Sequence, residues 1–185
     1  MNSREFYNTI ANSTAHRLIR EKQAAFVLEN PKYFADLFAL ALDTKDKNHY
    51  KACWILEIVH ETNPYWIESD VGVFCNNLPL FQQDGAVRSI SKICMHLAKA
   101  HSKSIKKHDA TLSPAQLQQI TEACFDWVIS DTKVASKVYA IRALFEIGKT
   151  NKWIYPELKA ILLKDFHLHS AAYQSAAKEI LKKIE

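Results

Sequence analysis

The chain has 185 residues, with 24 Lys and Arg against 20 Asp and Glu and a net charge of +4. This length suits one ordinary domain with a buried core, and the mild charge excludes a strongly basic nucleic-acid-binding tail. Only three Gly and five Pro occur, where average usage would give roughly 13 and 9. This shortage of turn formers excludes a protein of many strands and hairpins, so an all-α chain is predicted.

The helix pattern predicts an N-terminal helical segment over residues 1–30 and then four helix pairs, all within a single domain that spans residues 1–185. Pro31, Pro64 and Pro114 stand where helices can begin, and Asn63 and Ser113 are capping residues before two of them. The predicted pairs are 31–62 (helices 31–43 and 47–62), 64–101 (64–78 and 84–101), 113–149 (113–130 and 133–149) and 153–184 (153–165 and 169–184).

Four cysteines stand far apart and include no Cys-x-x-Cys spacing: Cys53, Cys75, Cys94 and Cys124. Neither a zinc knuckle nor a disulfide framework is indicated, and reduced, buried thiols are the better interpretation. The N-terminal sequence MNSREFYNTIANS lacks a basic segment followed by an apolar core, and no apolar run approaches the roughly 18 residues of a membrane helix. We therefore expect a cytoplasmic protein with no membrane partner.

Glu57 and His60 form a Glu-x-x-His pair, and His60-Glu61 resembles the start of the His-Glu-x-x-His motif of zinc peptidases. Such a site needs a second histidine one turn later on the same helix face, but position 64 is proline. A di-iron bundle would need a second Glu-x-x-His, which the sequence lacks. We predict no metal ligand and no cofactor, and interpret His60 as a helix-end residue near the last carbonyls.

Motifs of catalysis are also missing from the sequence. It contains no G-x-S-x-G, no G-x-x-x-x-G-K-[ST] and no G-x-G-x-x-G segment, and three glycines could hardly form a phosphate cradle. No catalytic residue is predicted, and the chain is expected not to be an enzyme.

The densest basic segment is AKAHSKSIKKHDA, which contains Lys99, Lys103, Lys106 and Lys107 beside His101 and His108. It has no aromatic residue on which a nucleic-acid base could stack. We therefore interpret it as a solvated loop.

Two joints between predicted helices have similar sequences: FEIGKTNKWI at Phe145–Ile154 and LEIVHETNPYWI at Leu56–Ile67. Four predicted helices, the second of each pair, can be aligned at equivalent positions. These positions are Tyr50, Val87, Val138 and Gln174. The steps between them are 37, 51 and 36 residues, and the long step contains the Lys-rich segment. Without that segment the period is near the roughly 40 residues of paired-helix solenoids.

Equivalent joint residues occur at Asp46/Tyr50/Lys51 and at Asp84/Val87/Arg88. With these joints, residues 31–185 resemble a short array of HEAT-like, armadillo-type repeats. The resemblance implies a right-handed α-α superhelix of about four helix pairs, in which the second helices line a concave face. The chain is also similar to small uncharacterised bacterial proteins labelled adenylosuccinate lyase. That activity is not expected, because the chain is far too short and lacks the S-S-x-M-P-x-K-x-N loop.

The repeat register divides each second helix into a core side and an opposite side. The core side holds Cys53, Leu56, Glu57 and His60; Ile90, Ile93, Cys94 and Leu97; Ile141, Leu144, Phe145 and Gly148. The opposite side holds Lys51, Ile55 and Ile58; Arg88, Lys92, Met95 and Lys99; Tyr139, Ala143 and Glu146; Ser175, Glu179 and Lys182, with Trp54 and Arg142 at its flank.

From the opposite side we predict a mixed apolar and basic binding groove made of Lys51, Trp54, Arg88, Lys92, Tyr139, Arg142 and Glu146. Trp54, Ile55, Ile58 and Met95 could equally pack against a neighbouring helix. If the groove residues have no contact with the core, reversing Arg88 and Lys92 to Glu should change stability by no more than about 0.5 kcal/mol per site.

The favoured function is a non-enzymatic interaction module that holds an unknown protein or peptide in this groove. The alternative is a nucleic-acid-binding protein, since DNA alkylpurine glycosylases share a HEAT-like fold and pair tryptophan with an acid. Trp54 with Glu57, Trp66 with Asp70 and Trp127 with Asp131 have helical spacing for such pairs. The modest charge argues against strong phosphate affinity.

Overall fold

The computed structural model describes residues 1–105 and 111–184. These residues form eleven α-helices and three short 3-10 helices, and they contain no strand. The all-α prediction is therefore confirmed. The α-helices are α1 (Ser3–Ala11), α2 (Arg17–Glu29), α3 (Phe34–Leu42), α4 (His49–Thr62), α5 (Tyr65–Glu68), α6 (Val71–Asn77), α7 (Asp84–Ile105), α8 (Pro114–Ile129), α9 (Val134–Gly148), α10 (Ile154–Asp165) and α11 (Ala171–Leu181). The 3-10 helices are Pro31–Tyr33, Leu78–Leu80 and Phe166–Leu168.

By its contacts the chain divides into two compact units, Met1–Ile90 and Ser91–Glu185, with the boundary inside α7. The single-domain assignment stays a prediction. The N-terminal segment consists of two helices, α1 and α2. The first is closed by a capping box, in which Asn2 accepts from the Glu5 N–H and Glu5 accepts from the Asn2 N–H.

Two predicted helices differ most from the observed bounds. The predicted helix 64–78 is divided into α5 and α6, with an interruption at Ser69 and Asp70. Helix α7 runs to Ile105 and does not end at residue 101, because its last turns still bury His101 and Ser102. Lys99 and Lys103 are therefore helical, and the loop interpretation is wrong for them. Lys106, Lys107 and His108 lie outside the described residues.

The capping predictions have a mixed outcome. Ser113 forms a capping box with Gln116, and Pro114 is the first residue of α8, as expected. Asn63, in contrast, does not cap α5, because it ends α4 by a backbone bond to Val59. Helix α4 thus ends before Pro64, so the residue four positions after His60 does not lie on the same helix.

In the first unit, α4 is buried around nearly its whole circumference, packed between α3 and α2. Ile55 is fully buried, and it lines an apolar cavity with residues of α1 and α2. Its assignment to the side opposite the core is wrong, because the two N-terminal helices cover that side. The alternative, in which it packs against a neighbouring helix, is confirmed.

In the second unit, α9 is the central helix and packs against α8, α10 and α11. Ala143 is fully buried, so its assignment to the side opposite the core is wrong, because the helices packed around α9 cover that side as well. Gly148 marks a close approach between α9 and the next helix. A Cβ atom there would lie 2.1 Å from the Tyr155 ring, which itself stacks on Phe145 with ring centroids 5.9 Å apart.

The predicted core side is otherwise confirmed. All its residues on α4, α7 and α9 are buried except Phe145, which is half-buried. The four cysteines are free and buried, as expected. Burial raises the pKa of the Cys75 thiol to about 12 and raises that of Cys53 further, so neither thiol is a ready nucleophile at neutral pH.

Lys137 joins α8 and α9 in the second unit. Its side chain is 3% exposed, and its Nζ donates to the carbonyl oxygens of Val128 at 2.5 Å and Ser130 at 2.6 Å. Burial lowers the pKa of the Lys137 ammonium, and Asp165 and Asp131 oppose this shift. The ammonium therefore caps the last carbonyls of α8, which have no partner within that helix.

His101 fastens the end of α7 to the start of the next segment. Its ring is buried, and Nδ1 accepts a hydrogen bond from the Leu112 N–H at 3.1 Å. Burial lowers the pKa of His101 below its ordinary value. Protonation of Nδ1 would also remove the acceptor, so the bond requires the neutral ring.

We expect the protein to lose stability as the pH falls below about 6.5, the pKa of an unfolded histidine. The unfolded state takes up the proton first, because the folded pKa is lowered, and stability is fully present only above that pH. His101→Phe should be less stable than wild type by about 1 kcal/mol at pH 7.5, and this difference should shrink towards pH 5. Urea unfolding at both pH values measures it; a pH-independent difference would contradict the assignment.

Candidate functional site

The seven predicted groove residues are distributed over both units. Lys51, Trp54 and Arg88 belong to the first unit, whereas Lys92, Tyr139, Arg142 and Glu146 belong to the second. All seven are half-buried, and none is in the fully buried core. The two sets differ in what their side chains contact.

In the first unit, Lys51 and Trp54 hold α4 against the N-terminal helices. The Lys51 ammonium donates to the carbonyl oxygen of Ala11, the last residue of α1. The Arg20 guanidinium lies 5.8 Å above the centroid of the Trp54 ring, and Tyr50 meets the same ring edge-on at 5.0 Å. Both side chains therefore have packing roles, with a helix-end carbonyl and a cation as partners.

Arg88 contacts the core directly. Its Nη1 lies 3.1 Å from Oε2 of Glu57, and the Ser89 hydroxyl donates to the same oxygen at 2.5 Å. The Glu57 side chain is 4% exposed and that of Arg88 is 34% exposed. The premise that Arg88 has no contact with the core is wrong, because a buried carboxylate requires a compensating cation.

A cavity of about 290 Å³ in the second unit is formed by side chains of α7, α9 and α11 and by Lys183, which follows α11. We call it the basic cavity. It is lined by Met95, Lys99, Arg142, Phe145, Glu146, Glu179, Ile180 and Lys183. Two of these are predicted groove residues, Arg142 and Glu146. The other two groove residues of this unit form a neighbouring pair, in which the Lys92 ammonium lies 5.8 Å above the centroid of the Tyr139 ring.

The carboxylates of the basic cavity are paired with cations. Glu179 lies 2.7 Å from Lys183 and 3.2 Å from Arg142. Glu146 lies 2.6 Å from Lys149 and accepts from the Ser102 hydroxyl at 2.5 Å. The hydrogen bond from Lys183 is the main cause of the lowered pKa of Glu179, and Arg142 adds to it.

Positive charge exceeds negative charge at this site. Lys99 is exposed, and no carboxylate among residues 1–105 and 111–184 pairs with it. The paired cations, Arg142, Lys149 and Lys183, retain 42%, 38% and 49% exposure. Because surface ion pairs contribute little stability, these cations can turn towards an anionic ligand at small cost.

Part of the lining of the basic cavity is apolar. The Phe145 ring lies below Lys149 and Lys183, at 5.0 and 5.5 Å from its centroid. Met95 and the buried Ile180 complete the apolar surface. An aromatic ring that carries two cations on a half-buried face is a suitable surface for an apolar side chain flanked by acidic groups.

Sequence reasoning missed Phe145, Ile180 and Lys183 as cavity residues. The register places Phe145 on the core side, but its side chain is half-buried, with Tyr155 of α10 stacked on its ring. Glu179 and Lys183 are four residues apart, a spacing typical of ion pairs on one helix face. The sequence therefore did contain a signal for this pair.

The structure offers no arrangement typical of metal chemistry in the part of the chain that it describes. Within residues 1–105 and 111–184, no three His, Cys, Asp or Glu side chains come together as metal ligands. The absence of a metal, a cofactor and a catalytic residue stays a prediction. None of the described helices combines the length and the apolar composition that crossing a bilayer requires.

Comparison with known proteins assigns the chain to a family. No curated protein and no solved structure matches it significantly. A family model described as HEAT repeat domain matches residues 3–184, which is almost the whole chain. The repeated helix joints and the all-α structure agree with this match. The chain therefore belongs to the HEAT repeat domain family.

Proposed function

We propose that this chain is a non-enzymatic protein-interaction module that binds an acidic segment of a partner protein at the basic cavity. The observation that supports this most directly is the half-buried Phe145 ring beside Lys149 and Lys183, with Lys99 and Arg142 in the same lining. HEAT repeat domains are typically scaffolds for protein interactions. Fold alone does not define the ligand, so the chemistry of this site carries the proposal.

The size of the basic cavity indicates the kind of ligand. Its volume of about 290 Å³ lies at the lower end of the range for small-molecule pockets. One large apolar side chain fits such a volume, in contact with Met95, Phe145 and Ile180. A single anchor of this kind, surrounded by polar contacts, is typical of a binding hot spot.

Charge favours acidic residues on either side of that anchor. The site has four cations, Lys99, Arg142, Lys149 and Lys183, against two carboxylates. The acidic groups of a ligand would replace Glu146 and Glu179 as partners of these cations. The positive potential of the site would mainly raise the association rate of such a ligand. Lys92 and Tyr139 extend the proposed site along α7 and α9, whereas Lys51, Trp54 and Arg88 are assigned to packing.

The nucleic-acid alternative has less support. Glu57, which was paired with Trp54, is buried and bound to Arg88 and Ser89. Trp127 is 5% exposed, so its ring is not available to stack on a base.

Charge reversal at the basic cavity tests the proposal. Wild type, Arg142→Glu/Lys183→Glu and the control Lys103→Glu/Lys159→Glu would each be used to capture proteins from native lysate, with and without nuclease. Lys103 and Lys159 are exposed and lie outside the cavity, so the change in net charge is matched. We expect the cavity variant to lose specific partners by about tenfold or more, and the control to retain them.

Four outcomes contradict the proposal. The site is wrong if the control loses the partners while the cavity variant keeps them, or if both bind like wild type. If nuclease removes every specific partner, the nucleic-acid alternative is correct. Binding that does not weaken with added salt would also argue against an acidic ligand, because charge steering is screened by salt.

A further inference from the structure

A second cavity lies in the first unit, between α1, α2 and α4. Its volume is about 380 Å³. Its walls include Phe6, Ile10, Val27 and Ile55, none of which is more than 3% exposed. Well-packed interiors rarely contain a void much larger than a water molecule. The buried apolar side chains along this cavity lack contact partners on the side that faces it, and an apolar ligand would supply those contacts.

The cavity has a defined edge. Gln23 on α2 donates to the carbonyl oxygen of Thr9 on α1 at 2.8 Å, which ties the two helices together beside the cavity. At the other wall, Phe6 stacks on Tyr33 at 4.9 Å and Phe26 lies 5.3 Å from the same ring. These contacts hold α1 and α2 in place without filling the space between them.

One end of this cavity reaches solvent and carries a positive charge. Ile19, at 39% exposure, and the exposed Lys22 lie at this mouth. Among the described lining residues Lys22 has the one charged side chain, and no carboxylate of the described residues forms an ion pair with it. The N-terminal ammonium of Met1 also belongs to the lining, but it is paired with Glu5 at 3.8 Å. The mouth thus combines an apolar entrance with a cation.

We propose that this cavity binds a single-chain fatty acid, with the alkyl chain between α1, α2 and α4 and the carboxylate beside Lys22. A cavity of about 150 Å³ holds benzene, so 380 Å³ corresponds to about 15 carbon atoms by simple proportion, enough for a dodecyl chain. A cation at the mouth favours a carboxylate over a neutral or cationic headgroup. This site lies in the other unit from the basic cavity and is independent of the proposed function.

Calorimetric titration of the full chain with dodecanoate, below its critical micelle concentration, tests this proposal. We expect saturable binding of one dodecanoate per chain and a rise in the melting temperature, since a ligand that binds only the folded state stabilises it. Lys22→Glu should weaken dodecanoate binding about fivefold, as expected for one exposed charge, and leave dodecanol binding unchanged. Ile19→Trp should weaken both ligands about tenfold by closing the mouth.

Lys47→Glu is the matched control, because Lys47 is exposed in the same unit and does not line the cavity. It should bind dodecanoate like wild type. Ile19 and Lys22 are surface positions, so both variants are expected to fold, and circular dichroism checks this. The proposal is overturned if wild type shows no saturable binding, or if folded Ile19→Trp and Lys22→Glu both bind dodecanoate as tightly as wild type.

Discussion

The free energy of unfolding of the Arg88→Glu variant is expected to be about 3 kcal/mol lower than that of wild type. The change removes the cation 3.1 Å from the buried Glu57 carboxylate and places a second negative charge beside it. This loss of stability lies at the lower end of the range for breaking a buried ion pair. The Arg88 side chain is one-third exposed, so water can partly solvate the site. Urea unfolding at pH 7, followed by circular dichroism, measures the difference.

Lys103→Glu is the control for this experiment, since Lys103 lies on the same helix, is exposed and undergoes the same charge change. It should change stability by no more than about 0.5 kcal/mol. A double-mutant cycle with Arg88→Met and Glu57→Gln isolates the interaction between the two side chains. An Arg88→Glu variant as stable as the Lys103 control would show that Glu57 does not depend on this guanidinium.

The Lys137→Met variant should also lose about 3 kcal/mol, although it removes no carboxylate partner. Methionine keeps the approximate length and the apolar stem of the side chain but cannot donate. The carbonyl oxygens of Val128 and Ser130 would lose their bonds to a buried ammonium, at the joint between α8 and α9. Hydrogen bonds to charged groups contribute about 1.5 to 3 kcal/mol each.

Thermal and urea unfolding of Lys137→Met should be compared with those of Lys159→Met. Lys159 is exposed on α10, so the same substitution there should be nearly neutral, within about 0.5 kcal/mol. Equal stability of the two variants would mean that water replaces the ammonium at the α8 carbonyls, and that Lys137 is not a structural cap.

The periodicity of the sequence was sufficient to predict which side of α4, α7 and α9 is the core. Leu56, Ile93 and Leu144 recur at helical spacing, and all three are buried. The shortage of glycine likewise predicted an all-α chain. These predictions succeed because hydrophobic patterning and turn formation depend on local sequence.

Which helix covers the opposite side could not be predicted in this way. Ile55 and Ala143 have the right spacing for exposure, yet neighbouring helices bury both. Arg88 resembles a surface cation in the sequence, and only its position beside Glu57, 31 residues away, shows that it neutralises a buried charge. A helical period defines the faces of a helix, but it does not identify the elements that pack against them.

The sequence by itself determined the helix class, the repeat joints and the core side of the second helices, because each of these follows from spacing within one helix or joint. Only the tertiary structure decided that Lys51 and Trp54 serve packing while Arg142 and Glu146 line a cavity. That cavity combines Met95 of α7, Phe145 of α9 and Lys183, which follows α11. Its composition depends on contacts between residues far apart in the chain, and such contacts leave no period in the sequence.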